Sequence, residues 1–189
     1  YNRVLEDTWV GCYEGIKRCN IVLDNIESVQ MDETTKKKYK GEMLFIRALT
    51  YFNMVRLWGD VPLVIRYFDD PFQTFGIGRS PVNDVYEQIK NDLIEASKIL
   101  PEVPDNKRLG TAVSGSAKTL LGKVYLTLKD YDNAVKILKE VIDSQQYTFI
   151  QDYTELFDVD NKNNSESIFE IQYTEAVTDL GSAFANLFA

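Results

Sequence analysis

Between Leu5 and Val29 the apolar positions Leu5, Trp9, Cys12, Ile16, Cys19, Leu23 and Ile26 recur at intervals of three and four, which lays one stripe along an α-helix. A second helix is predicted from Glu33 to Trp58, with Leu44, Ala48, Tyr51, Phe52 and Val55 on its buried side and Arg47 and Arg56 toward its polar side. Gly59 stops it and Pro62 prevents resumption. Residues 59–80 show no period and contain Pro62, Pro71, Gly76 and Gly78, so they read as a long irregular excursion of the kind that is functional or disordered in compact domains. Ser80 followed by Pro81 has the pattern of an N-cap with proline at the first helical position. Val85, Ile89, Leu93, Ala96 and Leu100 mark the third helix, closed by Pro101 and Pro104.

Two shorter helices follow, at about residues 113–128 and 132–144, separated only by Lys129, Asp130 and Tyr131. Leu121, Gly122, Tyr125, Ala134, Leu138 and Val141 fall in the places of a tetratricopeptide unit spanning about residues 116–144, although Lys118 stands where tryptophan is usual and no proline closes the unit. The physical basis is packing: small residues sit where two antiparallel helices cross closely and larger ones fill the space beside them. Such pairs cannot bury their apolar faces alone, so the earlier helices are expected to stack as neighbours. Near the end, Phe169, Ile171 and Tyr173 alternate on one side of a single predicted strand, whose partner is expected outside residues 1–189. The expected fold class is therefore mainly all-α, with tetratricopeptide-like stacked antiparallel helix pairs, long loops and a short β-strand near the C-terminal end.

Composition narrows the chemistry. The chain of 189 residues is 44% hydrophobic and 26% charged, a globular balance, and no apolar run approaches the length of a membrane span. A net charge of -8 repels a phosphate backbone, and the run Lys36, Lys37, Lys38 and Lys40 beside Asp32, Glu33 and Glu42 reads as a solvated helix face, so no nucleic-acid partner is expected. Histidine is absent, which removes His-ligated zinc, Ser-His and Cys-His nucleophile pairs and imidazole bases. Cys12 and Cys19, seven residues apart on one helix, would sit about 10.5 Å apart. A disulfide needs less than about 7 Å, so both read as small buried apolar residues. In residues 158–164 Lys162 and Asn163 break an EF-hand pattern begun by Asp158 and Asp160, leaving a polar turn. No metal and no cofactor are expected.

Four blocks, in order, carry a family resemblance: "VGCYEGIKRCNIVLDNI", "GEMLFIRALTYFNMVRLWGDVPLV", "RSPVNDVYEQIKNDLIEASKILP" and "YTELFDVDNKNNSESIFEIQY". Through Tyr13, Ile16, Asn20, Arg47, Ala48, Tyr51, Phe52, Gly59, Asp60, Pro62, Arg79, Tyr86, Ile89, Asp92, Leu93 and Leu100, then Leu156, Phe157, Glu166, Ile168 and Phe169, the chain resembles the SusD/RagB family over nearly its whole length. The resemblance implies a non-catalytic, surface-exposed lipoprotein of the outer membrane that captures oligosaccharides and delivers them to a SusC-like TonB-dependent transporter. It also implies that residues 1–189 are a helical-domain fragment. The signal and lipobox region and the C-terminal part are then expected to lie elsewhere, with the membrane reached only through a lipid anchor outside the fragment.

The four blocks match helix-packing positions, so ligand contacts are sought in loops. Sugar recognition needs flat aromatic faces edged by amide, carboxylate or guanidinium groups. The candidates for glycan binding are Tyr67, Phe68, Phe72 and Phe75, with Arg66, Asp69, Asp70 and Gln73 beside them, and a second group, Tyr1, Asn2 and Trp9, at the start of the first helix. The bland reading is that these aromatics merely pin a loop onto the helices. The alternative function is a tetratricopeptide scaffold that binds a protein or peptide without any glycan. A glycoside hydrolase has no support in spacing, since nothing among 29 acidic residues singles out an acid and nucleophile pair.

Overall fold

The apolar periods of the chain become, in a computed structural model that describes residues 2–104 and 108–173, the helices α1 (Arg3–Asn25), α2 (Glu33–Trp58), α3 (Val82–Ile99), α4 (Ser114–Thr127) and α5 (Tyr131–Asp143), followed by a single turn α6 (Tyr153–Leu156). Asn2 Oδ1 accepts from Leu5 N at 3.3 Å, Asp32 Oδ1 from Thr35 N at 2.8 Å and Asp130 Oδ1 from Asn133 N at 3.3 Å, so α1, α2 and α5 each begin at a side-chain cap. α2 ends at Gly59, whose φ of 69° lies in the left-handed region that glycine enters at little cost.

Each helix packs on the next in sequence, α1 on α2, α2 on α3, α3 on α4 and α4 on α5. The shared core is centred on Tyr51, Phe52 and Met54 of α2 and on Ile89 and Leu93 of α3. Burying each of these large side chains contributes about 1.5–3 kcal/mol before ordering entropy is subtracted. Glycines set the closest approaches. A Cβ on Gly41 would meet Leu100 Cγ at 2.7 Å, and one on Gly122 would meet Leu138 Cδ2 at 2.5 Å and Cγ at 2.6 Å.

In the α4/α5 pair, Lys118 reaches Glu140 at 3.3 Å, Gly122 faces Leu138, and Tyr125 O accepts from Asp130 N at 2.9 Å. Early residues of α4 thus meet late residues of α5, so the pair is antiparallel, with Ala134 fully buried in it and Val141 nearly so.

Three expectations are corrected. Arg47 does not face the polar side; it is 6% exposed and lies in the core. Ser80 does not cap α3. Its N–H donates to Val61 O at 3.0 Å in an isolated antiparallel bridge, while Asp60 Oδ1, from before the loop, accepts from Val82 N at 2.9 Å. The capping group is supplied in space rather than by the adjacent sequence. The expected strand at 167–173 makes no ladder among the described residues. Ile168 O is taken by the Ser116 hydroxyl at 2.9 Å, Phe169 packs edge-on against Phe45 at 4.9 Å, and Ile171 and Tyr173 are exposed. An alternating pattern makes a strand only where a second backbone pairs with it, and among the described residues none does.

Candidate functional site

The irregular segment between α2 and α3 is held by side chains that rise from the helices beneath it. Tyr13 of α1 donates to Pro62 O at 2.8 Å. Asn20 donates through Nδ2 to Val64 O at 2.9 Å and Arg66 O at 3.2 Å, and Asp24 Oδ2 accepts from Tyr67 N at 2.6 Å. From α2, the Tyr51 hydroxyl accepts from Val64 N at 2.7 Å and lies 3.0 Å from Val64 O, while Arg47 Nη1 donates to Ile65 O at 3.1 Å. A strap of backbone from Pro62 to Tyr67 therefore finds its hydrogen bonds in side chains instead of in a sheet.

Arg47 is the junction of this network. Its Nε and Nη2 donate to the two carboxylate oxygens of Asp92 on α3 at 2.8 and 2.7 Å, and its Nη1 donates to Asn20 Oδ1 at 2.8 Å. Gln88 Nε2 adds a third donor to Asp92, 2.7 Å from Oδ1. Burial works against the Arg47 charge, but the hydrogen bonds and charge of Asp92 outweigh it and hold its pKa above the ordinary arginine value. Asn20 and Asp92 are as buried as the hydrophobic residues beside them, and both are fully used. Burial likewise pushes the Tyr51 phenol up to about 12 and lifts that of Tyr13. Neither behaves as an acid or base near neutrality, so the two hydroxyls act as hydrogen-bonding posts.

Beyond the strap the loop presents its aromatic residues. Asp70 Oδ1 accepts from Phe72 N at 2.9 Å and starts a 3-10 turn over Pro71–Thr74. That turn sets the rings of Phe72 and Phe75 edge to face with centroids 5.3 Å apart, and they remain 71% and 75% exposed. Phe68 is half-buried under the Arg66 guanidinium, 4.7 Å from its ring centroid, and Tyr67 is half-buried where its N–H meets Asp24. Of the polar neighbours expected to edge a sugar, Asp70 serves as the cap and Arg66 covers Phe68; Asp69 and Gln73 are exposed.

The second expected group lies apart from the first. Tyr1 falls outside the described residues. Asn2 is spent as the α1 cap, and Trp9 is half-buried between Tyr13 and Trp58, with ring centroids 5.1 Å away in both cases. Trp9 and Asp24, where Tyr67 is anchored, are about 22 Å apart along α1.

The strap was not foreseen from sequence, but a signal for it exists. Asp92 falls on the stripe Val85, Ile89, Ala96 of α3, and Asn20 and Arg47 sit directly beside stripe positions of α1 and α2. A polar residue inside a buried stripe demands a buried partner. Cys12 and Cys19 are both free, and burial raises the pKa of each, that of Cys19 to about 11. Around residues 158–164 the expected polar turn is present, with Asp158 Oδ1 accepting from Asp160 N at 2.9 Å and Asn163 at φ 53°.

The architecture defines a class: stacked helix pairs that hold an irregular, aromatic-tipped loop against their surface by buried polar side chains. Residues 1–126 match the SusD-like family described as starch-binding and associating with outer membrane. A SusD-like protein of Bacteroides ovatus is 30% identical over 189 residues, covering 89% of this chain and 33% of that protein. Among solved structures, a laminarin-binding SusD-like protein superposes with a TM-score of 0.85 at 36% identity, over 89% of this chain and 38% of its own. A structure with xylogluco-oligosaccharide superposes with a TM-score of 0.79 at 30% identity, over 92% and 36%. The chain belongs to the SusD-like family, and it spans about a third of the length of the relatives it matches.

Proposed function

We propose that this chain is the helical part of a non-catalytic glycan-capture protein at the outer membrane, and that the loop at residues 66–75 is a contact surface for the sugar. The observation that carries the loop assignment is the pair Phe72 and Phe75: two large rings left in solvent on a turn whose base is fixed to α1 and α2. Two exposed aromatic rings held side by side on one turn offer a binding surface, and their flat faces suit the C–H faces of pyranose rings. Tyr67 and Phe68 extend the apolar surface, and Asp69 and Gln73 are free to meet hydroxyl groups. Support for glycan as the ligand class comes from family membership and from structural neighbours described as laminarin-binding or determined with a xylogluco-oligosaccharide. Delivery to a SusC-like TonB-dependent transporter, and anchoring as a surface lipoprotein, complete the proposal in keeping with a family that associates with outer membrane.

The test is calorimetric titration of the protein at its natural full length with laminarin, xyloglucan and starch oligosaccharides, alongside a Phe72→Ala, Phe75→Ala variant. Binding of at least one glycan, weakened on the order of tenfold in the variant at unchanged Tm, supports the loop assignment. Binding untouched by these changes moves the site elsewhere, and Trp9→Ala with Asn2→Ala and Tyr1→Ala then tests the second group. Failure to bind any glycan, or hydrolysis of one, rejects the capture function. Co-purification of a TonB-dependent barrel from native membranes tests the partner.

A further inference from the structure

A groove of about 360 Å³ runs between α3, α4 and α5, on a part of the molecule that the aromatic loop does not reach. Its volume falls within the range of about 300–1,000 Å³ typical of ligand sites. Leu121, Tyr125 and Ile137 give it an apolar floor. Its rim is basic: Lys98 from α3, Lys118 from α4 and Lys136 from α5 face it, against one acidic residue, Glu140. Glu140 neutralises Lys118 at 3.3 Å, whereas Lys98 and Lys136 are exposed and have no ion-pair partner among the described residues. On a chain of net charge -8, three lysines against one glutamate around an apolar floor are a local excess of positive charge.

We propose that this groove docks a peptide segment of a partner protein that carries carboxylates beside apolar side chains. The charge of the rim selects the occupant: acidic groups settle between Lys98 and Lys136, and an apolar side chain covers Tyr125 and Ile137. A neutral sugar leaves the two lysines unanswered, and a basic segment is repelled. The floor rests on packed helices, because Leu121 is buried and Gly122 lets α4 approach Leu138 of α5 closely.

The experiment uses the protein at its natural full length and fluorescence polarisation of two labelled decapeptide pools, one pairing Asp and Glu with Leu and Tyr, the other carrying Asn and Gln in place of the acids. We expect the acidic pool alone to bind, more weakly as salt is raised, and its affinity to fall about tenfold in Lys98→Gln, Lys136→Gln. A control, Lys37→Gln, Lys123→Gln, removes the same charge away from the groove and should bind as the parent does, with thermal melts confirming that both variants fold. Absence of binding, equal binding of the amide pool, or equal loss in the control overturns the proposal. So does failure of a thiol probe to label a cysteine placed at Asn133 before any peptide is added, since the groove is then filled by the protein itself.

Discussion

Arg47 and Asp92, 45 residues apart in sequence, meet through two hydrogen bonds of 2.8 and 2.7 Å inside the interface of α2 and α3. The pair ties two helices together, and through Nη1 it extends to Asn20 on α1 and to the backbone of Ile65. One guanidinium therefore sets the relative position of three helices and the loop that crosses them. An ion pair this deep is weak support for stability as such, because desolvation offsets much of the Coulomb attraction. Its geometric effect is specific: the planar fork admits one orientation of the carboxylate and leaves one nitrogen for the loop.

Removing one partner leaves the other charge buried and alone. Arg47→Met should lower unfolding free energy by about 3–5 kcal/mol, measured by urea denaturation, and Arg47→Lys should not restore it, since a point charge cannot span both carboxylate oxygens. The double change Arg47→Met, Asp92→Leu should recover much of the loss while leaving the loop detached. If it restores neither stability nor fold, the pair is doing more than compensating its own burial.

Loosening the strap without touching the charges is possible at Asn20. Asn20→Ala removes two donors to the strap and the acceptor for Arg47, at a cost of about 1–3 kcal/mol. Hydrogen exchange should then accelerate most at the amides of residues 64–67, while amides in the middle of α3 stay protected. Uniform acceleration across all helices would show that the strap is not a separable unit.

Alkaline pH should unfold the protein through its buried phenols. Burial holds the Tyr51 pKa at about 12 and raises that of Tyr13, whereas both ionise near 10 in the unfolded chain. The unfolded state thus sheds protons that the fold retains, so the stabilising contribution is complete below pH 10 and is lost as pH climbs from about 10 to about 12. Tyr51→Phe should cost stability at neutral pH, because Val64 N loses its acceptor, yet flatten the alkaline limb of a Tm against pH curve. A parent curve that stays flat through this window would contradict the burial of these hydroxyls.

The close contact of α4 with α5 makes Gly122→Val a test of the pair. The added atoms meet Leu138 Cδ2 and Cγ, where even a Cβ comes within 2.5 and 2.6 Å, and the overpacking should cost about 1–3 kcal/mol. Shortening the obstacle with Leu138→Ala should relieve part of that loss in the double variant. Independent, additive effects of the two changes would mean the helices do not meet as described.

Much of this protein was legible in its amino acids because helices announce themselves locally. The second helix ends where Trp58, Gly59 and Pro62 say it must, the stripes of α2 and α3 are the buried faces, and Gly122 and Ala134 mark the crossing of α4 and α5. The missing period placed Phe72 and Phe75 in a loop, but not their exposure: Tyr67 and Phe68 of the same segment are half-buried while Phe72 and Phe75 stand in solvent. Sequence resemblance supplied the family, since four blocks in order are far more specific than any helical pattern. Period and cap are properties of a few neighbouring residues, and hydrophobic burial acts on them whatever the distant chain does.

Tertiary structure alone decided where polar groups found their partners. Arg47 joins Asp92 across 45 residues, Asp60 caps a helix that begins 22 residues later, and Ser116 donates to the carbonyl of Ile168, 52 residues on. Each is a hydrogen bond between groups whose separation along the chain carries no periodic signature. Hydrophobic burial is non-directional and can be read from composition along a stripe. A hydrogen bond requires two named atoms about 3 Å apart, and only the folded chain brings them there.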